Sequence, residues 1–171
     1  MPQSLAVREL RDGDSFADLT DLIHRAYAPF GALGFNFTAV DQSAEETARR
    51  AGLGRCALAH IDGTLVGTIT VQAPNPRSTS SWVRLSNVAS AHQFAVDPSL
   101  QRHGIGSALL VWSERWAKSE GHTELCVDTA EPAEALIAFY HRRGYRFIEY
   151  AQWPGKSYRT VVLSKSISHA P

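Results

Sequence analysis

The sequence predicts a mixed α/β fold, with a central sheet of about seven strands flanked by about four helices. Three observations predict it. Apolar residues alternate in some segments and recur at helical spacing in others, and the two kinds are interspersed along the chain. Asp62-Gly63 joins two apolar segments directly, as an antiparallel hairpin requires. The stretch from Ala91 to Asp128 reads strand, helix, strand, a unit that sets its two strands in parallel.

Taken in order, "SLAVREL" alternates as a first strand. Asp14 or Ser15 can cap a helix whose apolar positions are Phe16, Leu19, Leu22, Ile23, Ala26 and Tyr27, and Pro29 is expected to end it. "FGALGFNFTAV" reads as a loop rich in glycine and aromatics. Ser43 and Glu46 have capping-box spacing, which predicts a short helix to about Arg50. "CALAHI" and "LVGTITVQA" flank the hairpin turn, "PNPRSTSSWVRLSN" is a polar loop, and "AHQFAV" is the next strand. Ile105 to Lys118 is a helix with Ile105, Leu109, Trp112 and Trp116 on one stripe and Gly121 as its stop. "TELCVD" is a strand ending at Asp128. A helix with Leu136, Ile137, Phe139 and Tyr140 runs from near Pro132 to Gly144, and "YRFIEYAQ" and "SYRTVVLS" close the sheet around "WPGK".

The 171 residues, 44% hydrophobic and 20% charged, are expected to form one domain, 1–171. Seventeen basic residues balance seventeen acidic ones, so no global footprint for nucleic acid or an anionic membrane is present. "MPQSLAVREL" lacks a basic segment followed by an apolar one, and no apolar run approaches membrane-spanning length. Cys56 and Cys126 lie in expected strands without His or Cys at metal-ligand spacing, so they read as buried reduced thiols, no metal is expected, and the expected compartment is the cytoplasm.

The chemistry concentrates in "VDPSLQRHGIGSALL", Val96 to Leu110. A helix N-terminus exposes N–H groups without intrahelical acceptors and carries roughly half a positive charge. Glycines let an anion approach those groups, and Arg102 adds formal charge. The stretch can therefore cradle a diphosphate. It is not a P-loop, because Gly106 is followed by Ser107-Ala108 and the lysine is missing. A dinucleotide fingerprint would need a third glycine where Leu109 stands.

"FAVDPSLQRHGIGSALL" resembles the acetyl-CoA signature of the GNAT superfamily of N-acetyltransferases, Gln/Arg-x-x-Gly-x-Gly/Ala, here Gln101-Arg102-His103-Gly104-Ile105-Gly106. "LIAFYHRRGYRF" is similar to the family's later segment, and the element order matches over nearly the whole chain. At the start of the Tyr140 helix, where many relatives carry Asn, this chain has Pro132-Ala133. The resemblance implies the GNAT fold and an acetyl-CoA-dependent N-acetyltransferase acting on a primary amine of a small molecule or peptide, as a monomer or homodimer. The alternatives are transfer of a longer acyl group, or a CoA-binding module that senses rather than catalyses.

By that resemblance, backbone N–H groups from Arg102 through Ser107 bind the CoA diphosphate, and Phe94-Ala95-Val96 pair with the pantetheine arm as an added strand would. Tyr140 matches the family's tyrosine acid. A phenol of pKa about 10 protonating a thiolate whose acid has a pKa of about 8.5 works uphill by only about 2 kcal/mol. For the base, His92 on the fourth strand and Asp128 on the fifth are the candidates. Acceptor contacts are expected from Tyr27 and the Phe30–Phe37 segment, Phe35 included, and from Trp82 and Trp153.

Overall fold

The computed structural model describes residues 4–168. Its elements are β1 (Leu5–Glu9), α1 (Phe16–Ala32), α2 (Thr38–Asp41), α3 (Ala44–Ala51), β2 (Arg55–Ile61), β3 (Thr64–Gln72), β4 (Val88–Val96), α4 (Ile105–Ser119), β5 (Glu124–Ala130), α5 (Glu134–Arg142), β6 (Arg146–Ala151) and β7 (Thr160–Ser166). The strands form one seven-stranded sheet in the order β1-β2-β3-β4-β5-β7-β6. It is mixed as expected: β1 with β2, β5 with β7 and β6 with β7 are antiparallel, and β4 with β5 is parallel. None of the described helices is long and apolar enough to cross a membrane.

The chain forms two compact units. Of the described residues, those up to Thr70 together with Gln93–Ser113 make one, and Val71–His92 together with those from Glu114 to Ser168 make the other.

In the first unit, Arg8 grips Asp14 with two hydrogen bonds of 2.8 and 2.7 Å and holds its carboxyl well below the usual range. Ser15 then caps α1 by accepting from the Asp18 N–H at 3.1 Å. Leu19, Leu22, Ile23 and Ala26 of α1 are buried in one cluster with Cys56, Leu58 and Ala95. Pro29 does not end this helix, which continues to Ala32. Losing one N–H in the final turn is tolerable because Phe30 packs against Tyr27 and Phe37, with ring centroids 5.7 and 5.2 Å away. The segment expected as a loop also contains a helical turn, α2, which raises the helix count above four.

Ser43 caps α3 through the Glu46 N–H, but the Glu46 carboxylate pairs with Arg49 rather than completing the box. Asp62 and Gly63, at φ of 48° and 81°, make the hairpin turn. Gly67 on β3 lets α4 come close: a Cβ there would lie 3.0 Å from both Ile105 Cγ2 and Leu109 Cδ1.

The buried face of α4 departs from expectation. Ile105, Leu109, Leu110, Ser113 and Ala117 are buried, while Trp112 and Trp116 are half-buried at its flank. Steps of four from Leu109 lead to Ser113 and Ala117, small residues that suit a close packing face. Ser113 satisfies its hydroxyl by donating to the Leu109 carbonyl at 3.1 Å.

In the second unit, β7 lies between β5 and β6, with Glu124 at the junction of all three. The Glu124 carboxylate accepts from Ser164 Oγ at 2.7 Å and from both terminal nitrogens of Arg146 at 3.0 and 3.1 Å. Val83, Val88, Cys126 and Val162 form a small core beneath. The chain leaves α5 through Gly144, with Tyr145 N–H reaching back to the Tyr140 carbonyl at 3.2 Å and Gly144 N–H to His141 at 3.0 Å. Tyr145 is thereby buried, and its hydroxyl donates to Glu114 at 3.0 Å. Strand β5 extends two residues beyond Asp128, so that residue lies within the strand rather than at its end.

Candidate functional site

In the first unit, β4 passes into a 3-10 turn over Pro98–Leu100, capped by Asp97, whose carboxylate accepts from the Ser99 N–H and hydroxyl at 3.0 and 2.6 Å. Those bonds and the ion pair with Arg25 at 3.2 Å hold the Asp97 carboxyl below its ordinary value. The chain then takes two left-handed steps, Arg102 at φ 70° and Gly104 at φ 81°. His103 Nδ1 bonds the Leu100 and Gln101 carbonyls at 3.2 and 3.0 Å, bracing the turn. Ala108 N–H donates to the Gly104 carbonyl at 3.0 Å, so Gly104 occupies the cap position of α4.

The N–H groups of Ile105 and Gly106 thus lie in the first turn of α4, ahead of the Ala108 N–H that donates to Gly104. Gly104 has open space within 4 Å of where a Cβ would stand. Arg102 and His103 are exposed beside it. A turn of this kind can accommodate an anion, and its geometry is compatible with the diphosphate the sequence implied. Upstream, the Phe94 carbonyl accepts from the Tyr27 hydroxyl at 2.8 Å, and Asp97 N–H donates to Val66 at 2.8 Å. Tyr27, Phe30, Phe35 and Phe37 form one connected set of aromatic rings.

In the second unit, β4 and β5 pair over Val88–Ser90 and Glu124–Cys126. The next residues of both strands, Ala91, His92, Val127 and Asp128, line a cavity of about 350 Å³. Trp153 also lines it and donates its indole N–H to Asp128 Oδ2 at 2.8 Å. His92, Asp128 and Trp153, three residues singled out from the sequence, thus meet at one place. Tyr140, 3% exposed on α5, packs its ring against Phe139 and Tyr145 and is not among the cavity's lining residues. Trp82 packs on the Val83–Val162 core and does not line the cavity either.

Sequence reasoning missed the cavity's polar wall. Gln72 and Ser90, joined at 3.3 Å, line it, as does Arg77 from the loop before β4. The only signal was an arginine inside "PNPRSTSS", which reads as a solvated loop. That loop is held by Glu149, which accepts from Ser80, Ser81 and the Trp82 N–H. Burial alone would raise the Glu149 carboxyl, but these bonds outweigh it and hold it below its ordinary value. Cys126 also lines the cavity; burial, with Asp128 nearby, pushes its thiol up strongly, which leaves it protonated and unsuited as a nucleophile.

Comparison with known proteins identifies the family of the chain. The family model of the acetyltransferase (GNAT) family matches residues 17–145. The chain is 30% identical over 162 residues to S-(2-succino)cysteine N-acetyltransferase of Bacillus subtilis (strain 168), covering 93% of each chain. The ribosomal-protein-S18-alanine N-acetyltransferase from Escherichia coli has a similar fold, with a TM-score of 0.73 at 18% identity over 98% of this chain and 97% of that one. A GNAT family acetyltransferase from Elizabethkingia anophelis with acetyl-CoA bound aligns with a TM-score of 0.67 at 17% identity, over 95% and 97% of the two chains. With the signature, the cradle and the fold in agreement, the chain belongs to the GNAT acetyltransferase family and is an acetyl-CoA-dependent N-acetyltransferase.

Proposed function

We propose that the acceptor is a primary amine of a small molecule and that it is held in the cavity lined by His92, Asp128 and Trp153. The meeting of those three side chains in one cavity carries this reading. A volume of about 350 Å³ suits a small molecule and lies near the lower end of ligand cavities. The relative from Bacillus subtilis, by its name, acetylates a small cysteine derivative. The family model runs through residues of both units, which supports reading 1–171 as one catalytic domain. Two free, buried cysteines suit a reducing compartment, the cytoplasm.

Acetyl-CoA enters as a substrate. Its diphosphate is bound by N–H groups from Arg102 through Ser107, with Gln101 and His103 shaping the turn, and its pantetheine amides pair with Phe94, Ala95 and Val96. The neutral amine attacks the thioester carbonyl, forming a C–N bond and an oxyanion that collapses by breaking the C–S bond. Tyr140 gives its proton to the departing thiolate. His92 or Asp128, or water held by them, takes the proton that the amine loses. Trp153 orients Asp128 through its indole N–H. In the first unit, the rings of Tyr27, Phe30 and Phe35 are a separate candidate contact surface for an apolar group of the acceptor.

A screen of amines with acetyl-CoA, followed by release of free thiol, tests this. Small primary amines should release thiol, and turnover with peptide amines alone would overturn the reading.

A further inference from the structure

The cavity presents charges of both signs. Asp128, on β5, and Arg77, in the loop between β3 and β4, both line it. In this unit Arg146 pairs with Glu124, Arg159 with Glu131 and Lys165 with Glu114, and none of these three lines the cavity. Arg77 has no acidic partner among the described residues.

Its position is nevertheless defined. Arg77 N–H donates to Asn75 Oδ1 at 3.0 Å, Ser78 N–H to the Asn75 carbonyl at 3.1 Å, and Arg84 grips the Ser78 carbonyl at 2.9 Å. The loop then docks on Glu149 through Ser80, Ser81 and Trp82. A cation on a pinned loop that lines the same cavity as a carboxylate is suited to a ligand with both an amine and an acid. The lining also includes Val83, Cys126 and Val162, which suits an apolar segment.

We infer that Arg77 is a specificity residue that pairs with a carboxylate of the acceptor, so that the acceptor class is an amino acid rather than a simple amine. This rests on the cavity being the acceptor site. Guanidinium and carboxylate make paired, charge-assisted hydrogen bonds that an amide cannot reproduce.

The test uses acetyl-CoA with three acceptors: S-(carboxymethyl)cysteine, its side-chain amide, and its α-amide. The parent protein should prefer the diacid over at least one amide by roughly tenfold or more in kcat/KM, the effect of one charge-assisted contact. Arg77→Gln should bring that preference close to unity, mainly through acceptor KM, and Arg77→Lys should keep part of it. Differences in amine basicity among the acceptors cancel, because they are the same in parent and variant. A preference that is unchanged in Arg77→Gln, or absent from the parent, overturns the inference while leaving acetyl transfer intact. Acetylation of none of these or of any other small amine by the parent overturns the acceptor-site reading itself.

Discussion

Gln42 donates its side-chain amide to the side-chain carbonyl of Gln93 at 2.9 Å, and both residues are buried. Gln93 stands at φ 51° inside β4, a left-handed step that interrupts the strand just before Phe94–Val96. Such a conformation costs a non-glycine residue about 1–2 kcal/mol, so something must hold it. The Gln42 amide also reaches Thr47 Oγ1 at 2.7 Å, Thr20 donates to the same oxygen at 2.7 Å, and Arg50 donates to Gln42 Oε1 at 2.7 Å. A buried polar chain from α1 and α3 thereby fixes the direction in which β4 leaves the kink.

Gln42→Leu should therefore destabilise the protein by about 1–3 kcal/mol, because it leaves buried partners unsatisfied. Urea unfolding measures this, and acetyl-CoA affinity should weaken with it as Phe94–Val96 lose their fixed direction. An unchanged midpoint and affinity would show that the kink is held without Gln42.

The two signature glycines should respond differently. Gly104→Ala meets no obstacle within 4 Å, so its cost is the left-handed conformation alone, about 1 kcal/mol by thermal unfolding. Gly106→Glu puts a carboxylate beside the first-turn N–H groups and should abolish acetyl-CoA binding in calorimetric titration of the folded variant. Retained affinity would remove the diphosphate from this turn.

Tyr140→Phe keeps the ring that packs on Phe139 and Tyr145 and removes only the hydroxyl. Turnover should fall by about 10²–10⁴-fold, the usual worth of a general acid, with acetyl-CoA affinity nearly unchanged. Full turnover at saturating substrate, with chemistry rate-limiting, would leave Tyr140 a core residue.

His92→Gln and Asp128→Asn separate the two candidate bases. The pH profile of kcat/KM, measured with an acceptor of known amine pKa, should lose its acid limb in the variant that lacks the base, with a rate loss of about 10²-fold or more. If both variants keep the parent's limb and rate, the amine loses its proton to solvent before binding.

Local chemistry made much of this protein legible in one dimension. Ser15, Ser43, Asp62-Gly63 and Gly144 act through bonds to residues within a few positions, so their caps and turns follow from the order of residues. The Gln101–Gly106 turn is legible for the same reason: a cradle of successive N–H groups is a local object. What the sequence could not decide depends on partners far along the chain. Pro29 reads as a stop, yet its helix is continued by rings from Tyr27, Phe30 and Phe37. The stripe of α4 passes through Ser113 and Ala117 rather than Trp112 and Trp116, because closeness of packing, not apolarity, selects its buried face. Gln93 carries no sequence signal for a left-handed step; a partner 51 positions away holds it there. Arg77 likewise looks like any solvated arginine until Glu149, about seventy positions later, pins its loop against the cavity that β4 and β5 open around His92 and Asp128. Bonds between distant positions are chosen by the folded backbone, so only the tertiary structure could supply them.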